Sequence, residues 1–254
     1  MSDSDSGPGR FSRRLAAERE HGASIAERAS EIWGWESVTG QRRQSRRAMM
    51  LRKEIKGLGR VLEFGAGTGE FTRRIVMAAD KRAGRRLVSV DISHDLLLKG
   101  RQEGAFDNAW IVECDAHHLP FREGVFDAIC GSSILHHLEV ENALAEGFRI
   151  LKPGGRAAFS EPNFANPQNA IVKRSKFLKA RFGDTPHETA FFKGQMENIF
   201  RKTGFSTVLV EFYDFLYPLI PDKLVSLAEN IGLMVEKIPG VRNIAGSLWI
   251  TARK

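Results

Sequence analysis

With 254 residues, 42% of them hydrophobic and 27% charged, the chain has the composition of one large globular domain with appendages. Its formal charge is +7, and the thirteen Lys/Arg against six Asp/Glu between Arg10 and Arg60 account for the whole excess. No apolar run approaches the ~18–20 residues of a membrane span, the start Met1-Ser2-Asp3 is unlike a secretory leader, and a cytoplasmic protein is expected.

Residues 1–9, rich in Ser, Asp, Gly and Pro, read as disordered. Residues 11–33 read as a weakly patterned helix ending at Trp33-Gly34-Trp35, an aromatic pair that either anchors this arm or touches a ligand. A basic helix is predicted from Gln41 to Lys56, with Ala48, Leu51, Ile55 and Leu58 on one side and the arginines elsewhere. Such an arm suits a phosphate backbone, an anionic lipid surface or an acidic substrate, and it also reads as a plain solvated face. The division this suggests is a basic arm at 1–57 and a main domain at 58–254.

The main domain is organised around Val61-Leu62-Glu63-Phe64-Gly65-Ala66-Gly67-Thr68-Gly69-Glu70-Phe71-Thr72. A short apolar run, three alternating glycines and then Phe71, Ile75 and Val76 at helical spacing predict a strand, a tight turn and a helix. Glycines let a ligand approach the backbone, and the helix N-terminus offers it unpaired N–H groups. A dinucleotide pattern would place its third glycine where Glu70 stands. After a loop at Ala83-Gly84, Leu87 to Ile92 reads as a second strand. Its Asp91, 22 residues beyond Gly69, is placed to accept both hydroxyls of a ribose. A third strand, Trp110 to Cys114, leads into Asp115-Ala116-His117-His118-Leu119-Pro120-Phe121. A fourth follows at Phe126, with Ser132-Ser133-Ile134-Leu135-His136-His137 at its end. In Leu151-Lys152-Pro153-Gly154-Gly155 the proline stops a helix begun near Val140, and the glycine pair reverses the chain into the strand Ala157–Ser160. Cys114 and Cys130 lie inside apolar strands and read as reduced core thiols; no disulfide and no metal site is expected.

In order and spacing these motifs, over residues 58–161, resemble the class I S-adenosylmethionine-dependent methyltransferases, and among them the small-molecule enzymes of the quinone-biosynthesis type. The resemblance implies a Rossmann-like three-layer α/β sandwich with a seven-stranded, mostly parallel sheet and an antiparallel strand seven. It implies S-adenosyl-L-methionine as cofactor and methyl transfer to a small, hydrophobic or lipid-like acceptor. The implied cofactor site is Glu63, Gly65, Ala66, Gly67 and Gly69, with Asp91, Ile92, Asp115, Ala116 and Ser132, Asp115 accepting from the adenine amine. His136 and His137 would face the transfer region as a general base, a pocket wall or a helix cap, with His187 and Glu161 as weaker candidates. Two other classes stand beside this one. An RNA or protein methyltransferase would use the basic arm, but no Asn/Asp-Pro-Pro-Tyr-type motif is present and nucleic acid is not the expected partner. A catalytically silent scaffold would bind the cofactor alone.

Two segments fall outside the resemblance. Residues 164–190 interleave Lys173, Arg174, Lys176, Lys179 and Arg181 with apolar residues, as in a helix over the active-site edge, a membrane-surface contact or a simple surface helix. A helix from Phe191 to Thr203 capped by Gly204, a strand Phe205–Phe215 and a last strand Ala245–Arg253 follow. Within the second insert, 216–242, Asp222 is predicted to N-cap a helix with Leu224, Leu227, Ala228, Ile231, Met234, Val235 and Ile238 on one stripe. So wide a face is expected to pack on the domain. Pairing with the first insert, dimerisation or a lid over the acceptor are the alternatives, and the oligomeric state is left open.

Overall fold

A computed structural model describes residues 8–77, 86–181, 188–217 and 220–254. The Ala83-Gly84 loop and His187 lie outside the described residues. Helix α1 (Pro8–Ile25) takes residues 8 and 9, expected to be disordered, into its first turn. A 3-10 turn at Ala26–Arg28 and the short α2 (Ala29–Ile32) then carry the chain to Trp33, so the expected single helix is broken. Helix α3 (Val38–Ile55) begins at Ser37, whose hydroxyl accepts from the Gly40 N–H at 3.0 Å.

Strand β1 (Arg60–Phe64) shows why the core has three layers. Its side chains alternate, so Leu62 and Phe64 join one apolar cluster while Val61 joins another on the opposite face. Helix α4 (Glu70–Met77), β2 (Arg86–Asp91), α5 (His94–Gln102), β3 (Trp110–Glu113), β4 (Phe126–Ser132), α6 (Val140–Ile150) and β5 (Leu151–Pro162) follow. Ile129 of β4 and Phe159 of β5 repeat the first face, and Ala128, Cys130 and Ala158 the second. Helix α3 packs Ala48, Leu51 and Ile55 into that second cluster. At the start of β5, Lys152 to Gly155 bulge between the pairs Phe126↔Leu151 and Ala128↔Arg156, with Gly154 at φ +75°.

Helices α7 (Pro167–Arg174) and α8 (Lys176–Arg181) replace the one helix expected in the first insert. The break is Ser175, extended at φ −105°, ψ 116°. Helix α9 (Lys193–Thr203) ends at Gly204, φ +110°, as the sequence predicts, and β6 (Ser206–Tyr213) follows. Pro221 opens a 3-10 turn over Asp222–Leu224, so α10 (Val225–Val235) starts after Leu224 with no side-chain cap and Asp222 is not its N-cap. Strand β7 (Ser247–Arg253) completes the sheet in the order β3-β2-β1-β4-β5-β7-β6. Every pairing among β1 to β5 is parallel, and β7 is antiparallel to both its neighbours.

The apolar stripe of α10 does not pack on the domain as expected. Leu227, Ile231 and Met234 are 58%, 46% and 59% exposed. The opposite side is held by charge. Glu236, just after α10, accepts two bonds from Arg46 at 2.6 and 2.7 Å and one from the Asp214 N–H at 2.8 Å. Glu229 faces Arg42 at 3.5 Å, while Gly232 seats against Phe215. Arg43 donates to Asp214 at 2.7 Å. The arginines of the basic helix are therefore turned largely inward, onto carboxylates of the second insert and the end of β6.

Candidate active site

A cavity of about 670 Å³ opens at the carboxyl ends of β1, β2 and β4, beneath α1 and α3. The glycine turn forms its floor. Gly65, Gly67 and Gly69 all have positive φ, which explains glycine at each. They face different things. A Cβ on Gly69 would strike Ala105 and Phe106 within 2.8 Å, whereas one on Gly67 would meet nothing closer than the Trp33 ring at 3.8 Å. Gly67 is thus the open cradle, and Gly69 serves packing.

Gly65, Gly67, Asp91, Ile92, Asp115, Ala116, Ser132, His136 and His137 line the cavity; Glu63, Ala66 and Gly69 do not. Glu63 points into the α4 side of the sheet, where its Oε2 accepts from the Thr72 and Ser89 hydroxyls at 2.6 and 2.7 Å. Ala66 is buried with Leu97, Ala105 and Phe106. The Asp91 carboxylate accepts from the Gly67 N–H at 2.8 Å and the Ser93 N–H at 2.9 Å, so it is fixed in place with acceptor capacity to spare. Burial pushes its pKa up, against these bonds. Asp115 is turned towards His117 and His118; burial raises its pKa, but the His117 bonds outweigh this and hold it low.

Helix α3 contributes residues that the sequence reading placed on its solvent side or passed over. Thr39, Gln44 and Arg47 are each at least nine-tenths buried and line the cavity. Thr39 Oγ1, Gln44 Oε1 and Arg47 Nε have no hydrogen-bond partner among the described residues. The remaining Arg47 nitrogens reach Ser132, Ser133 and Ser247 only at 3.3 to 3.5 Å. The signal was present. Gln44 and Arg47 continue the stripe of Ala48, Leu51 and Ile55 at helical spacing, turning polar where that face leaves the core and meets the cavity.

The two histidines differ. His136 is 5% exposed; its Nδ1 lies 2.7 Å from Glu161 Oε2, while Glu161 Oε1 accepts from the Ile134 and Leu135 N–H groups. Burial pulls the His136 pKa down, but Glu161 and Glu188 outweigh it and hold it at about 9. The protonated form of the ring is thus favoured, with Nδ1 engaged by Glu161. His137 is more open, with Nδ1 3.1 Å from Glu18 of α1 and 3.7 Å from Glu188. Glu188, which sequence reasoning did not single out, also binds Lys173 at 2.9 Å, and neighbouring cations hold its carboxyl far below the usual range against the effect of burial.

Residues 62–159 match a family described as a methyltransferase domain. The ubiquinone/menaquinone biosynthesis C-methyltransferase UbiE of Erwinia tasmaniensis is 35% identical over 133 residues, covering 49% of this chain and 52% of the relative. The chain thus spans about half the length of that curated relative. A solved Thermotoga maritima structure, a SAM-dependent methyltransferase and possible histamine N-methyltransferase, superposes at a TM-score of 0.63. It is 18% identical, with 91% of this chain and 97% of that one covered. The [4+2]-cyclase SpnF superposes at 0.65 with 17% identity, covering 95% and 96%. The fold is the Rossmann-like sandwich these structures share.

Proposed function

We infer that this chain, which carries a methyltransferase domain over residues 62–159, is an S-adenosylmethionine-dependent methyltransferase acting on a small, apolar, quinone-related acceptor. The observation that carries the reading is the fit of the cavity to the cofactor. Asp91 stands where a ribose diol needs an acceptor, Gly67 leaves its backbone open, and the unpartnered Arg47 Nε is suited to a carboxylate. The bound sulfonium supplies an activated methyl group, and the protein's task is to align the acceptor with it in a water-poor site. Trp33, Trp35, Leu216 and Tyr217 line the same cavity and suit an aromatic or apolar acceptor. His137 is the residue placed to take a proton where the acceptor is a hydroxyl.

Two observations support a lipid-like acceptor met at an anionic membrane surface on the cytoplasmic side. Phe215, which lines the cavity, packs against α10, whose apolar stripe faces outward beside exposed Lys223 and Lys237. No helix of the described residues is long and apolar enough to cross a membrane, so such contact would be peripheral. The pairing of Arg42, Arg43 and Arg46 with carboxylates of this chain favours the small-molecule reading over an RNA one.

Calorimetry with S-adenosylmethionine and S-adenosylhomocysteine, on the native chain and Asp91→Ala, tests the cofactor. Binding that weakens at least tenfold in the variant is expected; no binding to the native chain sinks the proposal. Labelled methyl transfer to a panel of prenylated quinols then separates an enzyme from a scaffold that binds without turnover.

A further inference from the structure

We propose that His136, His137 and Glu188 form a binding site for a first-row divalent cation at the acceptor end of the cavity. The ligand atoms of these three residues all lie within 4.8 Å of one another. His136 Nε2 stands 3.6 Å from Glu188 Oε2, and His137 Nδ1 stands 3.7 Å from Glu188 Oε1. Those separations are ion-pair distances, longer than an ordinary hydrogen bond. They are close to the roughly 3.0–3.4 Å edges that bonds of about 2.1 Å at 90–110° impose around a metal. The two Glu188 edges need a few tenths of an ångström of contraction, and the two imidazole nitrogens, within 4.8 Å of each other, draw together by up to about 1.4 Å.

The surroundings are those of a ligand rather than of a loose surface cluster. His136 Nδ1 is fixed on Glu161, which is itself held by two backbone N–H groups. A carboxylate on the far nitrogen is the usual arrangement behind a metal-bound imidazole, because it sets the tautomer that presents Nε2. Ligation then releases the Nε2 proton to solvent. All three residues line the cavity, so the open coordination positions face it. One competitor and one further carboxylate stand nearby. Lys173 occupies Glu188 Oε2 at 2.9 Å and must slide aside, while Glu18, 3.1 Å from His137 Nδ1, is placed to join as a fourth ligand.

Two imidazoles and one carboxylate suit Mn²⁺, Fe²⁺, Co²⁺, Ni²⁺ or Zn²⁺ rather than Ca²⁺ or Mg²⁺. If the cavity is a transfer site, a consequence that rests on the preceding section, the ion would bind an acceptor oxygen and favour its deprotonated form, replacing His137 as the base. The ligands come from two segments about fifty residues apart, one of them inside the first insert, so no local spacing announced the site.

Co²⁺ titration of the untagged full chain, followed by its visible d–d spectrum and by equilibrium dialysis, tests the site without cofactor or acceptor. One equivalent with a ligand-field spectrum is expected. Glu188→Gln and His137→Ala should abolish it, with metal-free thermal melts confirming that both variants fold. Glu161→Gln should weaken affinity about 10–100-fold. Lys173→Met should tighten it by removing the competing ammonium. No stoichiometric binding, or equal binding in Glu188→Gln and His137→Ala, overturns the proposal. Because the readout ignores methyl transfer, failure of the methyltransferase reading leaves this outcome intact.

Discussion

Glu63 is 1% exposed, accepts two hydroxyl bonds on Oε2 and has no partner on Oε1 among the described residues. Burial raises its pKa from 4.5 to about 7, against the Thr72 and Ser89 bonds. Between those values the folded chain keeps a proton that the unfolded chain has lost. The Glu63 contribution to stability is therefore full below pH 4.5 and declines by about 3 kcal/mol as pH rises through 7. Urea midpoints at pH 5 and pH 8 should converge in Glu63→Gln; an unchanged gap would show that another group is responsible. The motif identified this acid but not its direction. Leu62 and Phe64 point to one core, so a strand's alternation sends Glu63 to the other side, away from the cavity mouth. Arg47 shows the converse, since charge suggested solvent and the helical stripe placed it inside.

Helix α3 is tied to the end of β6 and to α10 through Asp214. This residue is 3% exposed, lies 2.7 Å from Arg43 and 3.9 Å from Arg47, and has φ +77°. Burial raises its pKa, but Arg43 and Arg47 outweigh that and hold it below 3.8. Its contribution to stability is thus present above pH 3.8 and disappears as pH falls through the lowered value. Asp214→Asn tolerates the left-handed backbone and removes only the charge. It should cost about 3–5 kcal/mol in urea unfolding at pH 7.5, because the arginines stay buried without their counter-charge. A loss below about 1 kcal/mol would mean water already screens the cluster. Periodicity showed where the α10 stripe lay but not which side meets the domain, and there the ion pairs override it.

The strand–turn–helix motifs made the parallel sheet legible, because each glycine or acid sits at a strand end and those ends share one edge. The roof was not legible. Helices α1 to α3 close over the cavity through contacts between residues distant in sequence, such as Glu18 with His137. A ligand gripped between floor and roof should fasten the two together. S-adenosylhomocysteine at one hundred times its dissociation constant should add about 2.7 kcal/mol. That corresponds to roughly 5–10 °C in melting temperature for a chain of this size. It should also slow proteolytic cleavage around Trp33 to Ser37. A stabilised melt with unchanged cleavage would show that the ligand engages the floor alone.

Strand β7 follows β6 in the chain yet lies between β5 and β6. During synthesis β6 therefore leaves the ribosome with no sheet edge to join, since its only neighbour has not been made. Strand β5 waits with one flank bare for the same reason. The roof and the first five strands have time to assemble first, and both flanks then close in a single late insertion. Until that moment two strand edges are open to neighbouring nascent chains, and that interval is when mispairing is easiest.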